Sequence, residues 1–364
     1  MKSKFGRIIS ADAHVTEPAD LWVNYIEPAY RDRAPHIEQK ETTDIWVCDT
    51  GTMFSVGVMH GVRHRGGEVP VDGRWDDVPH SGYDPDARIP EMEMDGIDAE
   101  FLYPTVAMRF FTIEDVPFGE ACLRAYNDWI ADFCKPHSEQ FKACGIVMLD
   151  DINNAVDEVH RIKKLGLDGL MISVFPDESK PYHDPGYDPF WAAAEETRLP
   201  VSVHVSTPRR VETLTPAQQL MGNLLAAEVM VGMVYAGTFD KFPNLQLISA
   251  ENDASWAANI IERTDYFYSK ARARNLSAGG RTNRKLPSEY FHNNVSYTFM
   301  RDISAMRVRD IIGVDNLMWS SDFPHGDSTW PDSQDVIAEH MVGLPEADQR
   351  KILCTNAQRM YGFN

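Results

Sequence analysis

Acidic and histidine side chains stand at or near the ends of several short apolar runs. They belong to Asp12, His14, His204, Glu251, Asp322 and His325. Aspartate, glutamate and histidine are the side chains that bind divalent metals and exchange protons in enzymes. Asp12 and His14 are two positions apart, so in an extended strand they point to the same side and can address one point. The pattern indicates metal-dependent or acid–base chemistry, provided that the fold brings these side chains together.

The apolar runs alternate with segments of helical periodicity. Near-continuous apolar runs are expected of parallel strands that are covered on both faces. The eight runs are residues 7–14, 99–105, 142–149, 169–174, 200–206, 245–251, 294–299 and 317–323. The helical segments between them include residues 114–137, 151–166, 188–199 and 217–235. This alternation predicts an α/β fold, a (β/α)8 TIM barrel. A doubly wound sheet is the alternative, but no G-x-G-x-x-G motif follows the first strand.

Residues 20–95 do not follow this alternation. The segment is rich in Gly, Pro, Asp, His and aromatic residues and lacks sustained periodicity. In a barrel it lies between strands 1 and 2, and we expect a long lid-like insertion over the mouth. We predict one domain, residues 1–364, because no repeat or linker divides the chain. His60 and His64 in this segment, and His183 after the fourth strand, have no role that the sequence assigns.

Barrel topology explains why charged residues would collect at strand ends. A lone histidine in an apolar strand is more often a core residue than a ligand, and a lone strand-end aspartate is usually a cap or turn former. The carboxyl ends of barrel strands, however, all converge on one face, where the chemistry of this fold takes place. Several carboxylates buried there without a cation would each cost several kcal/mol. A divalent cation supplies the missing counter-charge, so the sequence predicts a metal site.

The composition of the chain bears on its binding partners and its cellular compartment. The formal charge is −20, from 35 basic and 55 acidic side chains, and this balance repels nucleic acids and anionic membranes. The five cysteines are scattered without a C-x-x-C pair, as in a protein with reduced thiols. We see no secretion signal and no apolar stretch near the roughly 18 residues of a membrane helix. We therefore expect a cytoplasmic enzyme that acts on a small-molecule substrate, with no nucleic-acid or membrane partner.

Several motifs occur together along the chain. They are the D-x-H of strand one followed by Glu17-Pro18, then "MDGIDAEFLYPT", "DPFWAAAEETRLPVSVH", "FPNLQLISAENDASW" and "SSDFPH". This combination resembles the amidohydrolase-related branch of the amidohydrolase superfamily, which includes aminocarboxymuconate-semialdehyde decarboxylase and aromatic-acid decarboxylases. The resemblance extends from about residue 7 to residue 363. It implies a (β/α)8 barrel, a homo-oligomer, and a divalent metal whose ligands are Asp12, His14, His204 and Asp322.

One position departs from the decarboxylases of the muconate-semialdehyde type. They place a catalytic histidine at the end of strand six, where this chain has Glu251. A carboxylate there can bind metal or act as a base. The oxygen-rich donor set suits Mn or Fe as well as Zn. We expect one ion, and a second could be held if Glu251 bridges the two.

The favoured reaction is the non-oxidative decarboxylation of a small carboxylated substrate, aromatic or unsaturated. Asp322 is the first choice for proton transfer and His325 the second, with the metal offsetting developing negative charge. The alternative is hydrolysis of an amide, ester, lactone or thioester by metal-bound water, with Asp322 or Glu251 as base. A dinuclear-iron oxygenase on the same barrel is the third hypothesis.

Overall fold

Eight parallel strands build the body of the protein. The computed structural model describes residues 3–48, 51–57, 59, 72–177, 179–209, 215, 217–218, 221–273 and 284–364. The eight barrel strands and three strands of a second sheet in the described residues are β1 (Ile9–His14), β2 (His36–Gln39), β3 (Asp44–Cys48), β4 (Gly51–Ser55), β5 (Ala99–Tyr103), β6 (Phe141–Ile146), β7 (Gly169–Ser173), β8 (Val201–His204), β9 (Leu247–Ala250), β10 (Val295–Phe299) and β11 (Leu317–Trp319). The eight-stranded sheet has the order β1-β5-β6-β7-β8-β9-β10-β11. Each predicted strand is present in this order, as a barrel requires and a doubly wound sheet does not.

The barrel closes where β1 meets the segment after β11. The amide of Asp322 donates to the carbonyl of Asp12 at 3.1 Å, and the amide of His14 donates to the carbonyl of Phe323 at 2.7 Å. These bonds join β1 to the segment that follows β11. The predicted (β/α)8 barrel is confirmed.

Helices cover the outside of the barrel. They are α1 (Leu21–Tyr25), α2 (Pro85–Asp95), α3 (Val116–Cys134), α4 (Ile152–Leu165), α5 (Asp188–Thr197), α6 (Asn223–Ala236), α7 (Thr238–Lys241), α8 (Ser255–Ala273), α9 (Pro287–Asn294), α10 (Ile303–Ile312), α11 (Ser333–His340), α12 (Glu346–Arg350) and α13 (Asn356–Tyr361). Local sequence sets their ends. For example, Asp151 accepts the amide hydrogens of Asn153 and Asn154 at the start of α4, and Gly166 ends it with φ +84°.

Several predicted strands are shorter in the structure, and the last one matters for the site. The predicted strand 317–323 ends at Trp319, because the amide of Ser321 donates to the Ser10 hydroxyl at 2.9 Å and Asp322 then turns the chain with φ +57°. Asp322 therefore lies three residues beyond β11 rather than at its last position. In the predicted helix 217–235, Ala217 and Gln218 are helical, and α6 begins at Asn223 after a turn at 221–222. Residues 219–220 of that prediction lie outside the described part of the chain.

The segment between the first two barrel strands has its own small sheet. Strands β2, β3 and β4 pair antiparallel, and Trp46 of β3 packs edge-on against Trp22 with ring centroids 5.2 Å apart. The role of this segment as a lid stays a prediction. His60 and His64 lie outside the described residues. His183 is exposed, and its imidazole packs against Gly232 of α6.

No helix in the described ranges is both long enough and apolar enough to cross a membrane. Cytoplasmic location and homo-oligomeric assembly stay predictions.

Candidate metal centre

Four side chains that the sequence singled out meet at the carboxyl ends of the strands. Asp12 and His14 come from β1, His204 ends β8, Asp322 follows β11, and all four are buried. The Nε2 atom of His14 lies 3.2 Å from Oδ1 of Asp322 and 3.5 Å from Oδ1 of Asp12. The Nε2 atom of His204 lies 3.7 Å from the same Asp12 oxygen. Ligands bound at about 2.0–2.2 Å to one ion are separated by distances of this size.

The four converging atoms are also without partners. Asp12 Oδ1, His14 Nε2, His204 Nε2 and Asp322 Oδ1 are buried and accept or donate no hydrogen bond within the described residues. Buried polar atoms nearly always have a partner, so four such atoms facing one another need an explanation. A divalent cation satisfies all four at once. The residues therefore fit a metal ion.

Backbone carbonyls hold the two imidazoles in the orientation that a metal needs. Nδ1 of His14 donates to the carbonyl of Pro104 at 2.7 Å, and Nδ1 of His204 donates to the carbonyl of Val205 at 2.8 Å. With hydrogen on Nδ1, each neutral ring presents the lone pair of Nε2 to the centre. This is the arrangement of metal-bound histidines, whose second nitrogen is hydrogen-bonded to the protein.

Each carboxylate uses its second oxygen for orientation. Oδ2 of Asp12 accepts the hydroxyl hydrogen of Thr298 at 2.9 Å, and the same Thr298 oxygen accepts the amide hydrogen of Glu251 at 2.8 Å. Oδ2 of Asp322 faces Nδ1 of His325 at 3.1 Å. One oxygen of each group is therefore fixed by the protein, and the other is free to bind a cation.

The pKa values of the two imidazoles, His14 and His204, are shifted in opposite directions. Burial, reinforced by the nearby His325, lowers the pKa of His14 to about 4. Burial alone would also lower the pKa of His204, but the carboxylates of Asp12 and Glu251 outweigh it and raise that pKa to about 9. A proton and a metal compete for the Nε2 lone pair of His204, so metal binding there releases a proton.

His325 stands directly beside the centre with a proton to give. Its Nε2 lies 3.0 Å from the hydroxyl of Thr105, whose own hydrogen goes to the carbonyl of Val15 at 2.6 Å. Nε2 must then be the donor to Thr105, while Nδ1 faces Asp322. Burial would lower the pKa of His325, but the Asp322 carboxylate raises it to about 9. The same contact, together with His14, holds the pKa of Asp322 well below its usual range despite burial.

Glu251 lies on the outer side of His204. Its Oε2 is 3.8 Å from Nδ1 of His204, the nitrogen that faces away from the converging atoms, and its side chain is 24% exposed. Burial and the charge of Asp322 raise the pKa of Glu251 to about 8. Among the described residues the potential ligand groups are Asp12, His14 and His204, and His14, Asp322 and His325. Neither includes Glu251, so its metal-binding role stays a prediction.

A buried ion pair that the sequence analysis missed supports the centre from behind. Nε of Arg88 in α2 donates to Glu100 of β5 at 2.6 Å. The same guanidinium donates to the carbonyls of His14 at 2.8 Å, Ser81 at 3.3 Å and Phe323 at 3.2 Å. It thus joins segment 20–95, the end of β1 and the turn after Asp322. A glutamate inside the apolar run "AEFLYPT" was the available signal.

Glu17 positions the loop that holds His325. Its buried carboxylate accepts the amide hydrogens of Val106 at 2.8 Å and Ala107 at 2.9 Å, with Thr105 at a longer distance. Burial raises the pKa of Glu17 to about 7, and these amides offset only part of the effect. The sequence marked Glu17 as part of a motif without giving it a function.

The barrel and the donor atoms that converge at its carboxyl-terminal face are the arrangement expected of a barrel enzyme with a metal site. The amidohydrolase family model matches residues 11–363, and the chain belongs to that family. Gamma-resorcylate decarboxylase of Rhodococcus jostii is 23% identical over 314 residues, which cover 79% of this chain and 90% of that protein. The predicted family is confirmed, and the chain is an enzyme.

Solved structures show the same fold. An amidohydrolase from Mycobacterium avium subsp. paratuberculosis aligns with a TM-score of 0.77 and 23% identity over 98% of both chains. The 5-carboxyvanillate decarboxylase of Novosphingobium aromaticivorans, solved with manganese and 4-hydroxy-3-methoxy-5-nitrobenzoic acid, aligns with a TM-score of 0.73 and 18% identity. That alignment covers 99% of this chain and 98% of the other.

Proposed function

We propose that this enzyme is a metal-dependent, non-oxidative decarboxylase of a small aromatic or unsaturated carboxylic acid. One observation carries the proposal: four buried donor atoms without partners converge at 3.2–3.7 Å beside the proton-bearing His325. The activities named for its relatives, on gamma-resorcylate and on 5-carboxyvanillate, support the choice of reaction.

Asp12, His14, His204 and Asp322 would hold one divalent cation. Two imidazoles and two carboxylates suit Mn²⁺, Fe²⁺ and Zn²⁺ alike, and the manganese of the 5-carboxyvanillate enzyme makes Mn²⁺ our first choice. When bound, such an ion attracts the oxygens of an acidic substrate and offsets negative charge that develops during the reaction.

His325 and Asp322 would handle the proton. In the proposed reaction His325 gives a proton, through Oδ2 of Asp322, to the carbon that bears the substrate carboxylate. The carbon–carbon bond to the carboxylate then breaks, its electron pair restores the π-system, and CO₂ leaves. A proton from water returns His325 to its starting state, so one proton is consumed for each CO₂ released. Thr105 keeps the imidazole in line by accepting the hydrogen of Nε2.

The proposal is tested by measuring CO₂ release from the manganese-loaded protein. A suitable panel contains hydroxybenzoates such as 2,6-dihydroxybenzoate and 5-carboxyvanillate, each incubated with wild type, Asp322→Asn and His183→Asn. His183 is an exposed histidine packed on Gly232, which makes it a control for histidine loss outside the centre. We expect CO₂ from wild type and His183→Asn but not from Asp322→Asn. Ester or lactone hydrolysis without CO₂ would instead favour the metal-water mechanism.

A further inference from the structure

Three buried hydroxyl groups cross the interior of the barrel beneath the candidate metal centre. They belong to Ser202 of β8, Tyr103 of β5 and Tyr361 at the end of α13. Oγ of Ser202 lies 2.7 Å from the hydroxyl of Tyr103, which lies 3.4 Å from the hydroxyl of Tyr361. The Tyr361 hydroxyl donates to the carbonyl of Ala11 in β1 at 3.3 Å. The three groups therefore form a hydroxyl chain from β8 to β1.

The hydrogens of this hydroxyl chain all point in one direction. Burial raises the pKa of Tyr103 and of Tyr361 well above the usual value, so both phenols carry their hydrogen. Because the hydrogen of Tyr361 goes to a carbonyl, its oxygen accepts from Tyr103. Tyr103 has then used its hydrogen and accepts from Ser202. Two of the contacts are longer than the usual distance of about 2.7–2.8 Å, but aligned donors polarise one another, so the loss of one hydroxyl weakens the rest.

Both ends of the hydroxyl chain are next to candidate metal ligands. Ala11 immediately precedes Asp12, and Ser202 lies two residues before His204 in β8. In the middle of the chain, the ring of Tyr103 packs against the imidazole of His204 with centroids 4.9 Å apart. The hydroxyl chain thus connects the two strands that carry Asp12 and His204.

The backbone of β1 is irregular at the residue that the hydroxyl chain holds. Ser10 pairs with Glu100 and Ala13 pairs with Leu102, so two residues of β1, Ala11 and Asp12, face a single residue of β5. Such a bulge disrupts the regular ladder of hydrogen bonds and re-aims a side chain. Its geometry then depends on contacts from elsewhere in the fold. The hydroxyl of Tyr361 supplies one of them from 350 residues away in the sequence.

We propose that Tyr361 is a positioning residue of the metal centre, whose hydroxyl holds the bulge of β1 so that Oδ1 of Asp12 faces the ion. Tyr103 and Ser202 act through this hydroxyl. The inference rests on the metal site of the proposed function and not on its reaction. The ring of Tyr361 is stacked on Phe101 with centroids 3.6 Å apart. Tyr361→Phe keeps this stack and removes only the hydroxyl, so it separates positioning from packing.

The test is the dissociation constant of Mn²⁺ alone, measured without substrate. Manganese-loaded protein is dialysed against a series of buffered Mn²⁺ concentrations, and the bound metal is measured by elemental analysis. We expect Tyr361→Phe and Tyr103→Phe each to raise the Kd roughly 3- to 10-fold, the effect of losing one neutral hydrogen bond. The double variant should raise it by less than the product of the single changes, because either substitution breaks the same hydroxyl chain.

Tyr235→Phe is the matched control, because the Tyr235 hydroxyl also donates to a backbone carbonyl, that of Thr264, at 2.6 Å between α6 and α8. An unchanged Kd in Tyr361→Phe overturns the inference. An equal rise in Tyr235→Phe also overturns it, since general destabilisation would then explain the effect. Single effects that multiply fully in the double variant reject the hydroxyl chain, because the two tyrosines would then act separately.

The same measurement distinguishes this inference from the proposed reaction. Wild-type protein that binds no Mn²⁺ contradicts the metal site and, with it, the role of Tyr361. A Kd that depends on Tyr361 in a protein that releases no CO₂ supports the inference and rejects only the decarboxylase.

Discussion

Asp322 and His325 share one hydrogen bond at the edge of the candidate metal centre. Oδ2 of Asp322 lies 3.1 Å from Nδ1 of His325, while Oδ1 of the same carboxylate lies 3.2 Å from Nε2 of His14. A single carboxylate therefore faces the converging donor atoms with one oxygen and a proton-bearing imidazole with the other. A cation and a proton source are brought to the same few ångströms, which is what protonation of a carbon next to a carboxylate requires.

Asp322→Asn should abolish proton transfer while leaving the fold intact. The amide keeps the size of the side chain and tolerates φ +57°, but it loses the negative charge that faces His14 and His325. We expect kcat to fall at least ~10²-fold, the lower end for a positioned acid or base. Thermal melting should change little. Asp335→Asn, at an exposed carboxylate in α11, is the control, and an Asp322→Asn rate within a few-fold of wild type would exclude Asp322 from the chemistry.

Metal removal should destabilise the protein through the four atoms that lack partners. Chelation leaves Asp12 Oδ1, His14 Nε2, His204 Nε2 and Asp322 Oδ1 buried without a counter-charge, so the melting temperature should fall and recover when Mn²⁺ is added. His204→Ala should bind less metal and lose most of this shift. The measurement is calorimetric melting with and without Mn²⁺, together with elemental analysis. An identical Mn²⁺-dependent shift in wild type and His204→Ala would place the ion elsewhere.

Glu251→Ala separates the two predicted roles of this carboxylate. Its Oε2 faces Nδ1 of His204 at 3.8 Å, on the side away from the converging atoms, so we expect normal metal content and slower turnover. The rate loss should be roughly 10-fold or more if Glu251 exchanges a proton with the substrate. Metal content and kcat are measured on the same preparation. Loss of metal together with rate would make Glu251 a ligand, and full activity would remove it from the site.

Local patterns were enough to predict the main elements and the residues that meet. Asp12 and His14 could be paired from the two-residue repeat of a strand, and His204 and Asp322 from the convergence of strand ends in a barrel. The turn at Asp322 could not be predicted, because it depends on hydrogen bonds to Ser10 and Asp12 at the other end of the chain. The sequence also has no signal for the carbonyls that orient the imidazoles, since every residue has one.

The pair of Arg88 and Glu100 also could not be predicted, because it joins residues through the fold and not through a local pattern. Each residue appears alone as a charge near an apolar run, and only the fold reveals that both are buried and bonded at 2.6 Å. Their function concerns three segments that are distant in sequence: residues 20–95, the end of β1 and the turn after β11. Whether a charged residue is buried and paired depends on its position in the fold, which the local sequence pattern does not contain.

Arg88→Met should disturb the centre and the fold together. It leaves Glu100 buried without its cation, and loss of one partner of a buried pair costs about 3–5 kcal/mol. It also releases the carbonyls of His14 and Phe323, so metal content should fall with stability. The double variant Arg88→Met/Glu100→Gln removes both charges and should recover part of the unfolding free energy. It should not recover metal binding, since the carbonyl of His14 stays without the guanidinium and that of Phe323 keeps only the amide of His14. Chemical denaturation measures the unfolding free energy of wild type and the two variants, and elemental analysis measures their metal content. Normal metal content in Arg88→Met would limit the pair to a structural role.

Glu17→Gln should remove a pH-dependent part of the stability. Burial raises the pKa of Glu17 from 4.5 to about 7, so between these values the folded protein holds a proton that the unfolded chain has released. The contribution is therefore complete below pH 4.5 and is lost as the pH rises through 7. Between pH 5.5 and pH 8 the unfolding free energy of wild type should fall by about 2 kcal/mol more than that of Glu17→Gln. Urea denaturation at matched metal content measures this difference. Glu346→Gln, at an exposed glutamate, should follow wild type, and parallel pH profiles for wild type and Glu17→Gln would mean that Glu17 is ionised throughout.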